Sequence, residues 1–178
     1  MLYNMLKNYN WLPDFVYGSI DGIITTFAIV SAVQGGGLDS KIILILGFAN
    51  MLADGFSMAT SKYLSDNAEI DQAFNKGKII DGGLNPIKGA ISTFIAFVTL
   101  GAIPLLAYVF QPFLKYTEMQ TFVLACVLTS FALFLVGFMK GLFVDKSKLY
   151  EGFITMFLGG IAAGISYYVG FVIERSLV

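Results

Sequence analysis

Two aspartates, Asp21 and Asp54, stand inside stretches that are otherwise apolar enough for a bilayer core. A charged side chain at that depth costs about 2.5–3.5 kcal/mol on insertion scales, and acids kept there generally mark a pathway for ions or protons. No lysine or arginine is expected at comparable depth, so each carboxylate must either be protonated or hold a cation. Asn50, Asp54, Met58 and Lys62 recur every fourth residue, which on a helix makes one polar stripe and lets Asp54 and Met58 face the same ligand. At a rise of 1.5 Å per residue, Asp21 lies about 8 Å from the start of its span and Met58 about 9 Å from the end of the next, which puts them at one level with Asp54 about a turn deeper. Two carboxylates and a thioether suit a borderline cation such as iron(II) or manganese(II). Calcium or magnesium would gain little from sulfur. The plainer readings are that Met58 fills space and that Asp21 caps or snorkels at a helix start; the combination at one depth favours a cation. A carboxylate must shed its proton to take a metal ion, so the two compete, and exchange of cation for proton is a natural mechanism.

The rest of the chain limits the ligands and the class. Of 178 residues, 57% are hydrophobic and 13% charged, against roughly 25% charged in a soluble domain. The net charge of −1 leaves no basic field for nucleic acid. There is no histidine, and the single cysteine, Cys126, lies in an apolar run. Any metal ion must therefore be held by carboxylate, carbonyl, hydroxyl or thioether groups, with one thiolate at most. The N-terminus, with one lysine and no early apolar core, does not read as a cleaved signal peptide.

Five stretches meet the length a membrane helix needs: 16–33, 42–64, 87–110, 121–141 and 152–173. The predicted fold is an all-α integral membrane protein of five transmembrane helices forming a single transporter domain, 1–178. Loops are short except Ser65 to Pro86, a turn-rich connection holding Asp66, Glu69, Asp71, Lys76, Lys78 and Asp81. With the N-terminus cytosolic, Lys7, Lys62, Lys76, Lys78, Lys88, Lys140, Lys146 and Lys148 fall inside, while Lys41, Lys115 and Arg175 fall outside. Trp11, Tyr17, Tyr63, Tyr108 and Tyr116 lie near span ends, as interfacial aromatics do.

Small residues predict where helices meet. Gly18 and Gly22, Gly137 and Gly141, and Gly160 and Gly164 form three pairs, and Ala49, Ala53, Ser57 and Ser61 make a smooth ridge on the second span. Pro104 is expected to kink the third. At the cytosolic face Asp14, Glu69 and Glu151, with Asp71 and Asp145, form an entrance that concentrates cations, or else a solvated face among lysines.

The run from Asp14 through Asp21-Gly22 to Thr26-Phe27-Ala28 resembles the first-helix signature of the vacuolar iron transporter family. Asp54-Gly55-Phe56-Ser57-Met58-Ala59, followed by Tyr63-Leu64-Ser65, is similar to that family's serine-methionine motif. Asn85-Pro86 onward to Pro104, and Gly159-Gly160 to Gly170, also fit, so the resemblance spans nearly the whole chain. It implies a five-helix homodimer with an ion path near the two-fold axis. It also implies export of iron(II) or manganese(II) from the cytosol in exchange for protons, as transported ions rather than cofactors. The membrane is the cell membrane in a prokaryote and the vacuolar membrane in a eukaryote. Asp21 and Met58 align with pathway residues of that family. The glutamate-rich cytoplasmic metal-binding domain that many members carry between spans two and three is absent, Lys62 stands where many have glutamate or a neutral residue, and Pro13 stands where an arginine is common.

Two other classes compete. An enzyme would need a nucleophile, a base or an open multi-ligand metal site, and no such cluster is visible. A structural or regulatory membrane subunit without transport of its own would tolerate loss of Asp21 and Asp54, which a transporter would not.

Overall fold

Breaker-free apolar runs closed by good capping residues determine the order of elements. The structure is a computed structural model and describes residues 10–77 and 84–177. Helix α1 (Leu12–Gly35) opens with Pro13 in its first turn, where the missing N–H removes nothing, and the Leu12 amide donates to Asn10 Oδ1 at 3.3 Å. Asp39 caps α2 (Ser40–Asn75), accepting from the Lys41 amide at 2.7 Å. Asn85 caps α3 (Pro86–Gly101), accepting from the Lys88 amide at 3.0 Å. Then come α4 (Ile103–Leu114), α5 (Glu118–Phe143) with a Thr117–Gln120 capping box, and α6 (Lys148–Leu177). Helices α3 and α4 form one span broken at Ala102, two residues before Pro104, so the expected kink is present. Five helices are thus long and apolar enough to cross a membrane, and among the described residues there is no strand. The all-helical, five-span expectation holds.

One expectation needs correction. The stretch from Ser65 is not loop: α2 runs on as helix to Asn75. Hydropathy ends a membrane span, but it does not end a helix. No glycine or proline occurs before Gly77, whose φ of 62° closes the element, and Lys62 and Asp66 make an i, i+4 ion pair across the limit drawn from hydropathy. Lys7, Lys78, Asp81, Gly82 and Gly83 lie outside the described residues.

Helix α1 is the centre of the bundle and packs chiefly on α3 and α6. Its contact with α3 is built on missing side chains. A methyl on Gly18 would sit 2.6 Å from the Thr93 carbonyl oxygen, and one on Gly22 would collide with the Phe97 backbone. Gly137 meets α6 as closely, at 2.5 Å from the Glu151 carbonyl. The third pair differs: Gly160 and Gly164 have nothing within 4 Å. The apolar windows of α2 and α6 are only 22% and 6% buried, against 50% for α1. Much of both helices therefore faces outward, and in α2 this includes the whole Ala49–Ala53–Ser57–Ser61 ridge. The end of the bundle that holds the starts of α1, α3 and α6 and the finishes of α2 and α5 is termed the Asp14 end below.

Candidate functional site

With Gly18 and Gly22 pressed on α3, the adjoining face of α1 carries Tyr17, Asp21 and Thr25 outward along its seam with α2. On α2, Ile43, Gly47, Met51 and Gly55 are buried. Asn50, Asp54, Met58 and Lys62 lie half-buried between that strip and the exposed small-residue ridge. The polar groups of two helices thus meet on one outward-facing seam.

Within it Asn50 Nδ2 donates to Asp54 Oδ2, and Thr25 Oγ1 donates to Asp21 Oδ1 at 3.5 Å. Asp21 and Asp54 lie within electrostatic reach of each other. Neither forms an ion pair among the described residues. Met58 lines a cavity of about 320 Å³ with Tyr17, Ser57, Ser61, Lys62 and Ser65. Asp21 lines a second, of about 440 Å³, with Tyr17, Ile20 and Lys140. Tyr17, not Asp21, therefore shares Met58's cavity. Counting from hydropathy limits set the two helices out of step, because α1 begins at Leu12 and α2 runs past residue 64. Lys140, which sequence depth did not bring near Asp21, lines its cavity, but its ammonium is taken by Glu151 Oε2 at 2.7 Å.

The acids assigned to an entrance separate into two kinds. Glu69 is exposed on the extension of α2. Asp14 and Glu151 are buried and paired. Lys62 Nζ reaches Asp14 Oδ1 at 3.1 Å and Asp66 Oδ1 at 2.7 Å, and Glu151 takes Lys140, with Lys146 at 3.9 Å. Asp66, assigned to a loop by hydropathy, is buried in this network. The signals for Asp66 and Thr25 were their i+4 spacings from Lys62 and Asp21, the first of them hidden by ending the helix too soon. Among the described residues, no three acidic or thiol side chains converge to hold a metal ion. Two carboxylates, an amide and a thioether thus lie along one open seam, with Asp21 and Met58 lining separate cavities.

Such a chain is a polytopic helical membrane protein whose spans carry two acids without an ion pair among the described residues. The VIT family model matches residues 12–79 and 72–171, and the chain belongs to the VIT family. It is 26% identical to a vacuolar iron transporter of Toxoplasma gondii over 93% of this chain and 75% of that protein. It is 25% identical to a vacuolar iron transporter of Plasmodium falciparum over 93% of this chain and 83% of that protein. It is 29% identical to vacuolar iron transporter homolog 4 of Arabidopsis thaliana over 90% of this chain and 83% of that protein. The Toxoplasma alignment runs over 226 positions, more than the 178 residues here, so that relative carries residues this chain lacks; the homolog 4 alignment runs over 170. The two matched segments of the family model meet at 72–79, where α2 ends.

Proposed function

We propose that this chain transports a divalent transition-metal cation, iron(II) or manganese(II), out of the cytosol in exchange for protons. The observation that carries the reading is the pair Asp21 and Asp54. Both lie within membrane-spanning helices and within electrostatic reach of each other, Asp54 on one stripe with Asn50 and Met58, and neither forms an ion pair among the described residues. Held there as bare anions, they would each cost about 2.5–3.5 kcal/mol on insertion scales, which a bound cation or a proton offsets. Because metal ion and proton compete for the same oxygens, a proton gradient can drive release of the metal on the far side. The relatives, vacuolar iron transporters by name, support iron as cargo. Thioether and carboxylate donors accept manganese(II) as well.

A second copy of the chain completes the site in this reading. The seam bearing Asp21, Asp54 and Met58 opens on the same side as the exposed Ala49–Ala53–Ser57–Ser61 ridge, and small residues are what membrane helices use to approach closely. A homodimer joined along α2 shields the acids from lipid and doubles the donors. The Asp14 end is cytosolic: among the described residues it holds Lys62, Lys76, Lys88, Lys140, Lys146 and Lys148, against Lys41, Lys115 and Arg175 at the other. The protein is a carrier rather than an enzyme, resident in a cell membrane or a vacuolar membrane according to its host.

The test is flux. Purified protein in liposomes with an imposed pH gradient should move iron(II) and manganese(II) with protons moving the other way, and Asp21→Asn and Asp54→Asn should stop both movements. A folded protein that moves neither ion would remove the transport reading in favour of a regulatory subunit. Ser57→Cys, with Cys126→Ser to clear the native thiol, should cross-link one copy to another across α2. Failure to do so while Gly160→Cys succeeds would move the dimer to α6.

A further inference from the structure

We propose that the crevice where α1, α5 and α6 meet, toward the end opposite the Asp14 end, binds a planar fused-ring lipid alcohol of the sterol type, with its hydroxyl at Ser31. The proposal depends neither on the transport reading nor on the test of it.

The crevice is a cavity of about 330 Å³, within the size range of small-ligand sites. Its walls are aromatic. Phe27 of α1 stacks on Phe122 of α5, with ring centroids 6.4 Å apart and planes inclined by 18°, and Phe122 meets Tyr167 of α6 at 6.1 Å. Gly164 lines the α6 side, and a methyl group on it would have nothing within 4 Å. Gly160, one turn nearer the Asp14 end, is open in the same way. Aromatic faces beside a stretch of helix without side chains match a flat, rigid ring system. A flexible acyl chain would lose more conformational freedom on being held there.

One polar group in this apolar place lacks a partner. Ser31 lines the cavity and is 1% exposed, and its hydroxyl is buried without a hydrogen bond. A serine or threonine in a helix can turn its hydroxyl onto the carbonyl one turn back. Thr60, Thr99, Thr121, Thr155 and Ser176 do so, and Ser31 does not. Ser19, Thr26, Thr93 and Thr129 also lack a partner, but they do not line this cavity. In the apolar part of a bilayer no water satisfies such a group, so a ligand that brings a hydroxyl to Ser31 removes a cost of burial.

Depth gives the orientation. Ser31 lies four residues, about 6 Å, before the end of α1 at Gly35, and Phe27 lies about 12 Å before it. Cys126, which also lines the cavity, is about 12 Å inside the start of α5 at Glu118. The free hydroxyl thus stands nearer the membrane surface than Phe27 and Cys126, as the hydroxyl of a lipid alcohol stands above its rings. The apolar window of α6 is only 6% buried, so the crevice is reached from the lipid.

The full chain in phosphatidylcholine liposomes is irradiated with a cholesterol probe bearing a diazirine on its ring system, and adducts are mapped by peptide mass spectrometry. Adducts should saturate and collect on the segments that hold Phe122 to Cys126 and Ala163 to Tyr167. Unlabelled cholesterol should displace the probe, and its 3α-hydroxy epimer should do so about five-fold less well. Ser31→Ala should raise the half-saturating probe fraction about five-fold, the effect of one lost hydrogen bond. Gly164→Leu, whose Cβ meets no atom of the chain within 4 Å, should fill the slot and remove the saturable labelling. Labelling that does not saturate, that spreads over the outward faces of α2 and α6, or that the epimer displaces equally overturns the proposal, because an ordinary bilayer lipid behaves so. A Ser31→Ala titration within about two-fold of native overturns it as well. If Gly164→Leu does not fold, the epimer and Ser31→Ala decide alone. Liposome flux of metal ions decides the transport reading whichever way these results fall.

Discussion

Along the seam between α1 and α2 there are two layers of aspartate, and they differ in one respect. At the Asp14 end, Asp14 and Asp66 share Lys62 at 3.1 and 2.7 Å. Deeper in the same helices, Asp21 and Asp54 have only a hydroxyl and an amide, from Thr25 and Asn50, among the hydrogen-bond partners described. Glu151 belongs with the first kind, held by Lys140 at 2.7 Å. A buried anion whose counter-charge the chain itself supplies is part of the fold, and removing its partner exposes the cost of burial. A half-buried anion inside a membrane span without one is a standing penalty within the chain, relieved by a proton, a cation or a second molecule. The outer layer holds α1 to α2; in the transport reading proposed above, the inner layer is where the cargo and the proton exchange.

The largest effect should come from making the inner layer neutral. Asp54→Asn or Asp21→Asn should reduce metal flux to that of protein-free liposomes, while the melting temperature in detergent stays level or rises because an unpaired charge has gone. The outer layer should answer in the opposite sense. Asp66→Asn leaves the ammonium with half its counter-charge and should cost about 1–3 kcal/mol of stability, less than for a fully buried pair because Lys62 is 22% exposed. Thermal melts of the three variants side by side break the comparison if Asp54→Asn destabilises as much as Asp66→Asn.

The inner layer was legible in the sequence and the outer one was not, for a physical reason. Asp21 and Asp54 interrupt apolar runs, so composition alone makes them conspicuous, and the i+4 stripe from Asn50 through Met58 follows from helical geometry. The five spans were readable on the same grounds. Asp66 was hidden because charged residues at a membrane surface resemble a loop to hydropathy, although the backbone from Ser65 to Asn75 has nothing in it to break a helix. The pairing of Lys62 with Asp14 joins distant parts of the chain and depends on which way α2 is turned, which no local spacing records. The open surroundings of Gly160 and Gly164, beside the sealed ones of Gly22 and Gly137, were equally unreadable: a small pair states that a close approach is allowed, not that a neighbour is present.

A smaller effect separates cargo chemistry from charge. Met58→Leu keeps the volume and removes the thioether beside the unpaired acids. Flux of iron(II) should fall a few-fold through a higher KM with kcat little changed, since sulfur contributes less to binding a borderline cation than carboxylate does. Competition assays with manganese(II), which depends less on sulfur, should show a smaller loss. Equal losses for both ions would make Met58 a packing residue of the seam and leave the two aspartates to act alone.

The smallest expected effect tests whether the inner layer is in truth unsupported. Thr25 Oγ1 lies 3.5 Å from Asp21 Oδ1, at the limit of a hydrogen bond, so the hydroxyl orients the carboxylate weakly. Thr25→Val preserves shape and removes that donor. It should change stability by no more than about 0.5 kcal/mol and flux by no more than about two-fold. Thermal melts and liposome uptake of the variant measure both. A loss approaching that of Asp21→Asn would mean that the chain does supply a partner the carboxylate depends on. The contrast between the two layers would then be one of degree, with Thr25 doing for Asp21 part of what Lys62 does for Asp66.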